Sequence, residues 1–397
     1  MLPGSSQDTD KLTVGIALLP SKAKKHLKGS LLARAANAGI QIKVVDPDQP
    51  LEEQGPFDVV LHKVNRNKAW RGAFIQFQKR HPEVRVLDAF DAIKTLQCRE
   101  TMLQPFDEGP IIVQDPSATE QTAPGSSLRC CAPVQIALHE GCTADMAVAA
   151  VDAAGMQVPL VGKPLWADGR EGSHGLAIVH DEGAIRRLVS PARPGVPASP
   201  FGPPLMLQQY IDHGGCLFKV YVMGPIVVMA RRPSLQIPVA EGDLTDGGLD
   251  GSLQSVARVS AFHSGTPSPS TSWGDPPHWL VEGLAQELRH RLHLHLFNFD
   301  LIRPRRHPVH GAQHRTSDYL VIDINYFPGY EKLPGYESMM VDFLQTLAAD
   351  SRKPHDATFA CPSHLKHAVS QTPSWSRRDE SYKGQQKDDV GGHGCGS

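Results

Sequence analysis

Residues 321–332 read VIDINYFPGYEK, an apolar stretch that carries Asp323 and Asn325 and then stops on Pro328–Gly329. In an extended strand successive side chains point to opposite faces, so Asp323 and Asn325 share one face while neighbouring Val and Ile residues supply burial. Two oxygen-bearing side chains on one face can form a hard-cation site. An edge strand whose polar face is simply wet is the alternative interpretation.

A second carboxylate lies in an apolar strand earlier in the chain, where FNFDLI places Asp300 between apolar residues. Buried carboxylates are costly unless they are paired or bound to a cation. If the two strands are adjacent, Asp300, Asp323 and Asn325 suit Mg²⁺, which takes a few protein oxygens together with waters and substrate phosphates. A purely structural ion pair, for example with Arg303 or Lys332, is the alternative.

Length, charge and cysteine usage narrow the class of protein. A chain of 397 residues is expected to form two or three compact domains. Its 40 basic and 42 acidic residues argue against a nucleic-acid or membrane-surface binder held by bulk electrostatics. Seven cysteines without a C-x-x-C pair are typical of a reduced, intracellular protein. No basic segment precedes the first apolar run, and no apolar run approaches the roughly 20 residues of a spanning helix, so we expect a soluble protein.

The N-terminal part alternates strands with helices. VGIALL, IKVVD, FDVVLHKV and VRVLD read as strands, and the segments between them include two amphipathic helices. This alternation predicts parallel βαβ units in an α/β domain over residues 1–105. A further helix is expected from Asp91 to Leu103.

Two further domains are expected after the first. Strands IIVQD, VPLVGKPL and LAIVH with two helices form a central domain over 106–204. A hairpin with a Gly-Pro turn, a helix and the two carboxylate strands form a C-terminal domain over 205–350. Within it, residues 240–277 are rich in Gly, Ser, Asp and Pro and are expected to be a flexible excursion. The polar residues 351–397 are expected to be a disordered tail.

A glycine-rich segment, GKPLWADGREGSHG, follows the strand that contains Lys163. Gly169, Gly172 and Gly175 recur at three-residue spacing, and glycines let backbone amides approach phosphate oxygens closely. Lys163 would supply a point charge. Because neither the G-x-x-x-x-G-K-[ST] phosphate loop nor a G-x-G-x-x-G motif after the first strand occurs, a nucleotide site here would be of another type. An ordinary turn between strands is the alternative.

Cations also occur in the hairpin and in two N-terminal loops. Lys219 lies in the first hairpin strand, and Arg231, Arg232 and Ser234 close the second; long side chains that reach the surface are the alternative explanation. The loops after the first and third strands carry a basic cluster of Lys22, Lys24, Lys25, Lys28, Lys63, Arg66, Lys68 and Arg71. Loops after strands of one parallel sheet are where ligands of open α/β sheets bind, so this cluster favours a polyanion over a merely solvated face.

A zinc site is disfavoured. His290, His293 and His295 straddle the end of a helix and the start of a strand, and no cysteine is spaced to join them.

These blocks, in this order, resemble the inositol 1,3,4-trisphosphate 5/6-kinases, also called inositol tetrakisphosphate 1-kinases, in their plant or algal form. The resemblance spans most of residues 10–347 and rests on DVVLHKV, LDAFDAIKTLQCRETM, PLVGKPLWADGREGSHGLAIV, LMLQQYIDHGGCLFKVYVMG, RRPSL, LFNFDLI and VIDINYFPGYEK. It implies an α/β ATP-grasp fold, in which an N-terminal parallel α/β domain binds the inositol phosphate and two ATP-grasp domains enclose the nucleotide.

The resemblance also implies roles for individual residues. Contacts to ATP would come from Arg99, Lys163, Gln208, Gln209, Tyr210, Ile211, Ser234 and Ser260. Magnesium would be held by Asp300, Asp323 and Asn325. The inositol phosphate would be held by Lys22, Lys63, His174, Lys219, Arg232, Asn325 and Gly329. Of these, Lys219 and Arg232 would meet charge on the transferring phosphoryl group, and His174 would orient the inositol ring.

The activity implied is transfer of the ATP γ-phosphate to the 5 or 6 hydroxyl of inositol 1,3,4-trisphosphate or to the 1 hydroxyl of inositol 3,4,5,6-tetrakisphosphate. Mg²⁺ would be the cofactor and ATP the co-substrate. The expected partners are these small molecules, with no nucleic acid or membrane, for a monomer in the cytoplasm and also the nucleus. An ATP-grasp ligase that joins a carboxylate to an amine, and an inactive inositol-phosphate sensor, are the alternatives; the presence of Asp300, Asp323 and Asn325 argues against the sensor.

Overall fold

The computed structural model describes residues 11–64, 68–118, 127–190, 201–235, 253–256, 274–305 and 318–351. The predictions for Arg66 and Ser260, most of the expected excursion and nearly all of the expected tail fall outside these residues. The described residues form three sheets with helices against them. None of the described helices is long and apolar enough to cross a membrane.

The N-terminal sheet is parallel, as the alternating pattern predicted, with the strand order β2-β1-β3-β4. Its strands are β1 (Leu12–Leu18), β2 (Ile40–Val45), β3 (Val59–Lys63) and β4 (Arg85–Leu87). Its helices are α1 (Pro20–His26), α2 (Gly29–Asn37), α3 (Lys68–Arg80) and α4 (Phe90–Thr95).

The helix expected from Asp91 to Leu103 is wrong in length, because α4 ends at Thr95. A long-range contact competes with the helix beyond that point. The backbone N–H of Arg99 donates to the carbonyl of Leu165 at 2.8 Å, and Cys98 forms an isolated β-bridge with Trp166. Backbone groups that are committed to a distant segment cannot continue the helix ladder.

The second sheet has five strands in the order β13-β9-β8-β10-β7. Its strands are β7 (Gln135–Leu138), β8 (Leu160–Pro164), β9 (Leu176–Val179), β10 (Leu205–Gln209) and β13 (Leu253–Val256), and its helices are α5 (Ala144–Ala153) and α6 (Glu182–Val189). Strand β13 lies inside the segment that was expected to be flexible, and it pairs antiparallel with β9. These four residues are therefore paired, and the flexibility of the rest of the segment stays a prediction.

The third sheet has six strands in the order β12-β11-β14-β15-β6-β5. Its strands are β5 (Ile111–Gln114), β6 (Ser127–Cys131), β11 (Cys216–Met223), β12 (Ile226–Pro233), β14 (Leu296–Ile302) and β15 (Tyr319–Tyr326). Its helices are α7 (His278–Leu292) and α8 (Tyr336–Ser351). The hairpin of β11 and β12 turns at Gly224, whose φ of 56° favours glycine.

Strands do not join the sheets in simple chain order. Strands β5 and β6 precede the five-stranded sheet in sequence, yet they lie at one edge of the six-stranded sheet, while β10 joins the five-stranded sheet between β7 and β8. The division into domains at residues 105, 204 and 350 stays a prediction. The consequence for the site is that β15 becomes an interior strand, between β14 and β6.

One hydrophobic core runs through the N-terminal sheet and the six-stranded sheet. It includes Leu31 and Ala35 of α2 together with Leu344 and Leu347 of α8, and all four side chains are fully buried. Burial of apolar surface on this scale holds the two sheets together. As a result, the carboxyl ends of β1 and β3 lie at a defined position relative to the end of β15.

Candidate active site

Three charged side chains lie in one row across adjacent strands. In the register of the six-stranded sheet Lys219 of β11 faces Asp300 of β14, and Asp300 faces Asp323 of β15. Directly opposite residues of an antiparallel pair project from the same face, with Cβ atoms about 5 Å apart. Lys219 Nζ donates to Asp300 Oδ1 at 2.7 Å. The two predicted carboxylates are therefore neighbours, and Lys219 supplies a cation beside them.

Asn325 completes a set of oxygen-bearing side chains on this face. Its Nδ2 donates to Asp323 Oδ2 at 2.7 Å. The second oxygen, Asp323 Oδ1, is buried without a hydrogen-bond partner among the described residues. A carboxylate oxygen in that position is costly unless a cation uses it. The wet edge strand is therefore excluded, and the donor set of two carboxylates and one amide oxygen fits Mg²⁺.

The pKa values of the two carboxylates shift in opposite directions. Burial raises the pKa of Asp300 above its ordinary value, and the charge of Asp323 adds to this rise, although Lys219 opposes it. Burial acts in the same direction on Asp323, but Lys163, Arg99 and the hydrogen bond from Asn325 outweigh it and hold its pKa below the usual range. The surroundings therefore favour the ionised form of Asp323 more than that of Asp300.

Lys163 connects the five-stranded sheet to the strand that carries Asp323. This buried lysine donates from Nζ to Gln208 Oε1 at 2.8 Å and to the carbonyl of Ile322 at 3.3 Å. Burial lowers the pKa of Lys163 to about 8, against the opposing effect of Asp323. A lysine in this position supplies a positive charge where the two sheets meet, as an ATP phosphate contact requires.

The segment expected to lie against adenine, Gln208 to Ile211, is partly committed to protein contacts. Gln208 accepts from Lys163, and its Nε2 donates to Gln135 Oε1 at 3.0 Å. Gln209 Nε2 donates to the carbonyl of Gln157 at 2.7 Å. Tyr210 and Ile211 follow as buried residues after β10. The side chains of Gln208 and Gln209 therefore bind neighbouring segments of the protein. Contact of the segment with adenine stays a prediction.

Arg99 holds both ends of the glycine-rich segment. Its Nη1 donates to the carbonyl oxygens of Pro164 and Trp166 at 2.5 and 2.8 Å, and its Nη2 donates to that of Ser173 at 3.1 Å. The guanidinium of Arg99 already donates hydrogen bonds to three carbonyls. Its expected contact with an ATP phosphate therefore stays a prediction. Its charge still acts on Asp323, whose pKa it lowers.

The glycine-rich segment itself is a tight loop between β8 and β9. Gly169 and Gly172 have φ values of 80° and 78°, which side chains rarely tolerate. Inside the loop, Arg170 makes a bidentate ion pair with Asp168, with Nη2 and Oδ2 2.7 Å apart. His174 lies exposed near the end of the loop. It is therefore accessible to a ligand, as its predicted role requires.

The basic cluster of the N-terminal sheet meets the end of β15. Lys63, the last residue of β3, donates from Nζ to the carbonyls of Tyr326 and Phe327 at 3.2 and 2.5 Å. Burial and the nearby charge of Lys22 lower the pKa of Lys63 to about 8. Lys22 is exposed on α1. The structure thus brings Lys22 and Lys63 to the turn that contains Gly329.

Two residues at this turn gave no signal in the sequence. His26 of α1 is buried, and its Nδ1 lies 3.3 Å from Glu331 Oε2. Glu331 in turn covers Gly329, where a Cβ atom would lie 3.2 Å from its Oε1. Burial, more than the opposing charge of Glu331, lowers the pKa of His26. A single histidine in a lysine-rich helix carries no pattern that could have predicted this contact.

The hairpin cations divide between the two faces of β12. Arg232 faces Leu217 in the register, on the side that also carries Lys219. Arg231 points to the other side and pairs with Asp275, with Nη2 and Oδ1 2.7 Å apart. Ser234 follows the hairpin, and its backbone N–H donates to the carbonyl of Gly215 at 2.8 Å. Arg232 is therefore the hairpin arginine on the face of the carboxylates.

The three histidines near residue 293 serve local structure. His293 ends α7 in the left-handed conformation, with φ 52°. His295 Nδ1 lies 3.0 Å from Asp88 Oδ1, and its backbone N–H donates to the same oxygen at 2.7 Å. Across the ranges that the structure describes, no three His, Cys, Asp or Glu side chains are grouped to hold a metal ion.

Comparison with known proteins gives matches to two family models. The inositol 1,3,4-trisphosphate 5/6-kinase ATP-grasp domain matches residues 125–346, and the pre-ATP-grasp domain of the same family matches residues 13–93. Together these matches include the glycine-rich loop, the carboxylate strands and most of the N-terminal sheet. Because the description of the larger match names the fold, the three sheets belong to an ATP-grasp enzyme.

Curated relatives agree with the family models. The chain is 38% identical over 335 residues to inositol-tetrakisphosphate 1-kinase 4 of Glycine max, which covers 84% of this chain and 87% of the relative. It is 37% identical to inositol-tetrakisphosphate 1-kinase 3 of Arabidopsis thaliana, over 86% of both chains. Among solved structures, D-cycloserine synthetase is 14% identical, with a TM-score of 0.49 over 86% of this chain and 100% of the other.

The fold and the family matches define a class of protein, an ATP-grasp enzyme that acts as a kinase. More particularly, the chain belongs to the inositol 1,3,4-trisphosphate 5/6-kinase family and is an inositol polyphosphate kinase. Kinases of this fold generally use ATP with Mg²⁺ and act on small molecules.

Proposed function

We propose that this chain transfers the γ-phosphoryl group of ATP to inositol 1,3,4-trisphosphate at the 5 or 6 hydroxyl, or to inositol 3,4,5,6-tetrakisphosphate at the 1 hydroxyl. The observation that carries the proposal is the row of Lys219, Asp300 and Asp323 on one sheet face. The names of the curated relatives support the tetrakisphosphate and the 1 hydroxyl, and the description of the family model supports the trisphosphate and the 5 or 6 hydroxyl.

Charge repulsion is the main obstacle to this reaction. Each phosphate carries about −1.5 to −2 charges near neutral pH, so ATP and an inositol polyphosphate repel each other strongly. Asp300, Asp323 and Asn325 would hold Mg²⁺, and Asp323 Oδ1, which has no hydrogen-bond partner in the described part of the chain, supports this set. When bound, the ion neutralises charge on the ATP phosphates.

Lysine and arginine side chains of the chain would neutralise the remaining negative charge of the phosphates. Lys163 would contact an ATP phosphate, since it is buried and its positive charge lies close to Asp323. Lys219 and Arg232 lie on the same face and would meet charge on the transferring group. Positioning and electrostatic stabilisation account for most of the rate in phosphoryl transfer, so no covalent intermediate with the protein is needed.

The inositol phosphate would bind where the N-terminal sheet meets the end of β15. Lys22 and Lys63 lie there, with Gly329 in the adjoining turn. His174 on the glycine-rich loop would orient the ring and its phosphates. Asn325 would contact both the metal ion and the substrate.

A panel of inositol phosphates, offered with ATP and Mg²⁺ and resolved by product isomer, tests the proposal. We expect ATP consumption that depends on an inositol tris- or tetrakisphosphate and a product with one more phosphate. Formation of an amide product without any dependence on inositol would instead support the ligase. Binding of inositol phosphates without ATP consumption would support the sensor.

We also propose a monomer in the cytoplasm and the nucleus that has no nucleic-acid or membrane partner. The balanced net charge of −2 supports the absence of such partners. Sedimentation at micromolar concentration should give the mass of a single chain, and a concentration-dependent increase in mass would contradict it.

A further inference from the structure

Asn298 is a polar residue that the proposed function does not use, although it lies beside the proposed metal ligands. It occupies β14 two residues before Asp300, so both side chains project from the same face. In the register it faces Asn325 of β15 on one side and Tyr221 of β11 on the other. Its side chain is thus an immediate neighbour of the Asn325 amide.

The side chain of Asn298 is fully buried, and neither of its polar atoms has a hydrogen-bond partner among the described residues. A buried amide normally uses at least one of its two donors and its acceptor. Leaving all of them unmade incurs the full desolvation cost of the group. An apolar residue of similar size would avoid this cost, so burial alone does not account for an asparagine here.

Bulk water does not satisfy this amide. Tyr330 lies over this part of the sheet, where its hydroxyl donates to the carbonyls of Val222 and Phe297. The ring of Tyr330 also contacts that of Tyr221, with centroids 6.1 Å apart. The Asn298 amide is therefore sealed on the solvent side and has to find a partner among the polar side chains of its own face.

Asn325 is the neighbour that can use this donor. Its Nδ2 is committed to Asp323 Oδ2, so the atom it can offer to a cation is Oδ1. A carbonyl oxygen has two lone pairs and can accept a hydrogen bond while it ligates a metal. Groups that hydrogen-bond to metal ligands fix their orientation and strengthen metal binding.

We propose that Asn298 is a positioning residue for the metal ligand Asn325. When the site is loaded, Asn298 Nδ2 donates to Asn325 Oδ1 and holds the amide with that oxygen toward the ion. This inference rests on the proposed magnesium site at Asp300, Asp323 and Asn325. The unpaired amide lowers the stability of the metal-free protein, and its hydrogen bond is recovered on loading.

Two measurements on the full chain test the inference. The first is thermal unfolding of the metal-free protein, and the second is the affinity for Mn²⁺, read by electron paramagnetic resonance with a non-hydrolysable ATP analogue present. For Asn298→Leu we expect an unfolding temperature equal to or above that of the unmodified protein. We expect the Mn²⁺ dissociation constant to rise by roughly 10- to 100-fold.

Control variants keep the outcomes separate. Phe299→Leu, which alters the buried neighbour on the opposite face, should lower the unfolding temperature without changing Mn²⁺ affinity. Asn298→Ala is small enough to avoid a clash and decides the metal measurement if Asn298→Leu does not fold. Mn²⁺ affinity within twofold of the unmodified protein for the folded Asn298 variants would overturn the inference.

The variant Asp323→Ala distinguishes failure of the positioning role of Asn298 from failure of the proposed metal site. If Asp323→Ala abolishes Mn²⁺ binding while the Asn298 variants bind normally, the positioning role is wrong and the metal site stands. If Asp323→Ala binds Mn²⁺ as tightly as the unmodified protein does, the metal site itself is wrong and the positioning role is overturned with it.

Discussion

Lys63 Nζ donates to the carbonyl oxygen of Phe327 at 2.5 Å, across 264 residues of sequence. Lys63 ends a strand of the N-terminal sheet, and Phe327 directly follows the strand that carries Asp323 and Asn325. One hydrogen bond therefore joins the predicted substrate cluster to the predicted metal strand. A substitution at Lys63 should act on both substrate binding and stability.

The double variant Lys22→Ala with Lys63→Ala should raise KM for the inositol phosphate far more than KM for ATP. A hydrogen bond to a charged group contributes about 1.5–3 kcal/mol, so each lysine that contacts a phosphate is expected to change KM by roughly 10- to 100-fold. Steady-state kinetics with each substrate varied in turn provide the measurement. Lys79→Ala, which changes an exposed lysine in the last turn of α3 outside the cluster, is the control. Equal effects on the two KM values would remove the cluster from substrate binding.

Asp323→Ala should abolish kinase turnover but leave the fold intact. Its surroundings lower the pKa of this carboxylate, and its Oδ1 has no hydrogen-bond partner among the described residues, so its loss removes a proposed metal ligand. We expect kcat to fall by at least roughly 10²–10³-fold, the loss typical of one electrostatic contact at a reacting centre. Circular dichroism checks the fold, and Asp323→Asn, which keeps the size of the side chain, separates charge from packing. Near-normal magnesium-dependent activity in Asp323→Ala would refute the metal assignment.

The activity should decline as the pH rises through about 8. Burial lowers the pKa of Lys63 to about 8, so its charge is complete below this value and is lost above it. An unperturbed lysine would stay charged to about pH 10. We therefore expect kcat/KM for the inositol phosphate to fall on the alkaline side of pH 8.

Lys63→Arg should shift that alkaline limb upward, because a guanidinium stays charged throughout this range. The measurement is the profile of kcat/KM from pH 6.5 to 9.5 at saturating ATP, where Lys163, whose pKa is also about 8, would be paired with an ATP phosphate throughout. The contribution of Lys63 to the stability of the fold changes with pH in the opposite direction. Since its folded pKa lies below the unfolded value, the charged lysine destabilises the fold below pH 8, and this effect is relieved between about pH 8 and 10.5. An alkaline limb that stays in the same place in Lys63→Arg would assign it to another group.

Arg99→Ala should loosen the glycine-rich loop. The variant leaves the carbonyls of Pro164, Trp166 and Ser173 without their donor, and the expected loss of stability is about 3 kcal/mol. Hydrogen exchange of residues 168–175 should become faster, and KM for ATP should rise. Arg80→Ala, an exposed arginine on α3, is the control. Unchanged exchange in the loop would contradict the role of Arg99 as its anchor.

Much of the architecture was readable from local patterns. The alternation of apolar strands with amphipathic helices before residue 90 specified a parallel sheet, because burial on both faces of its strands requires long apolar runs. The hairpin turn followed from Gly224–Pro225, since these two residues end both strands. The ATP-grasp fold and the kinase activity were predicted from the resemblance of several separated sequence blocks to a kinase family.

The short strands β6 and β7 and the length of α4 were not readable. SLRCC and QIAL are brief and lack a clean alternation, and each pairs with a strand that is distant in sequence, β15 for SLRCC and β10 for QIAL. Helix α4 stops where Cys98 and Arg99 pair with the strand end near residue 165. Such contacts depend on positions far along the chain, which local propensity does not contain.

The sequence by itself determined which residues carry charge and which strands carry Asp300, Asp323 and Asn325, because periodicity assigns side chains to faces. Only the tertiary structure decided how they combine: Lys219 beside Asp300, Arg99 bound to loop carbonyls, and Lys63 bonded to the end of β15. Among the described residues, it also left the amide of Asn298 and one oxygen of Asp323 without hydrogen-bond partners. The physical reason is that hydrogen bonds and desolvation depend on distances between segments, and those distances exist only once the core has brought the sheets together.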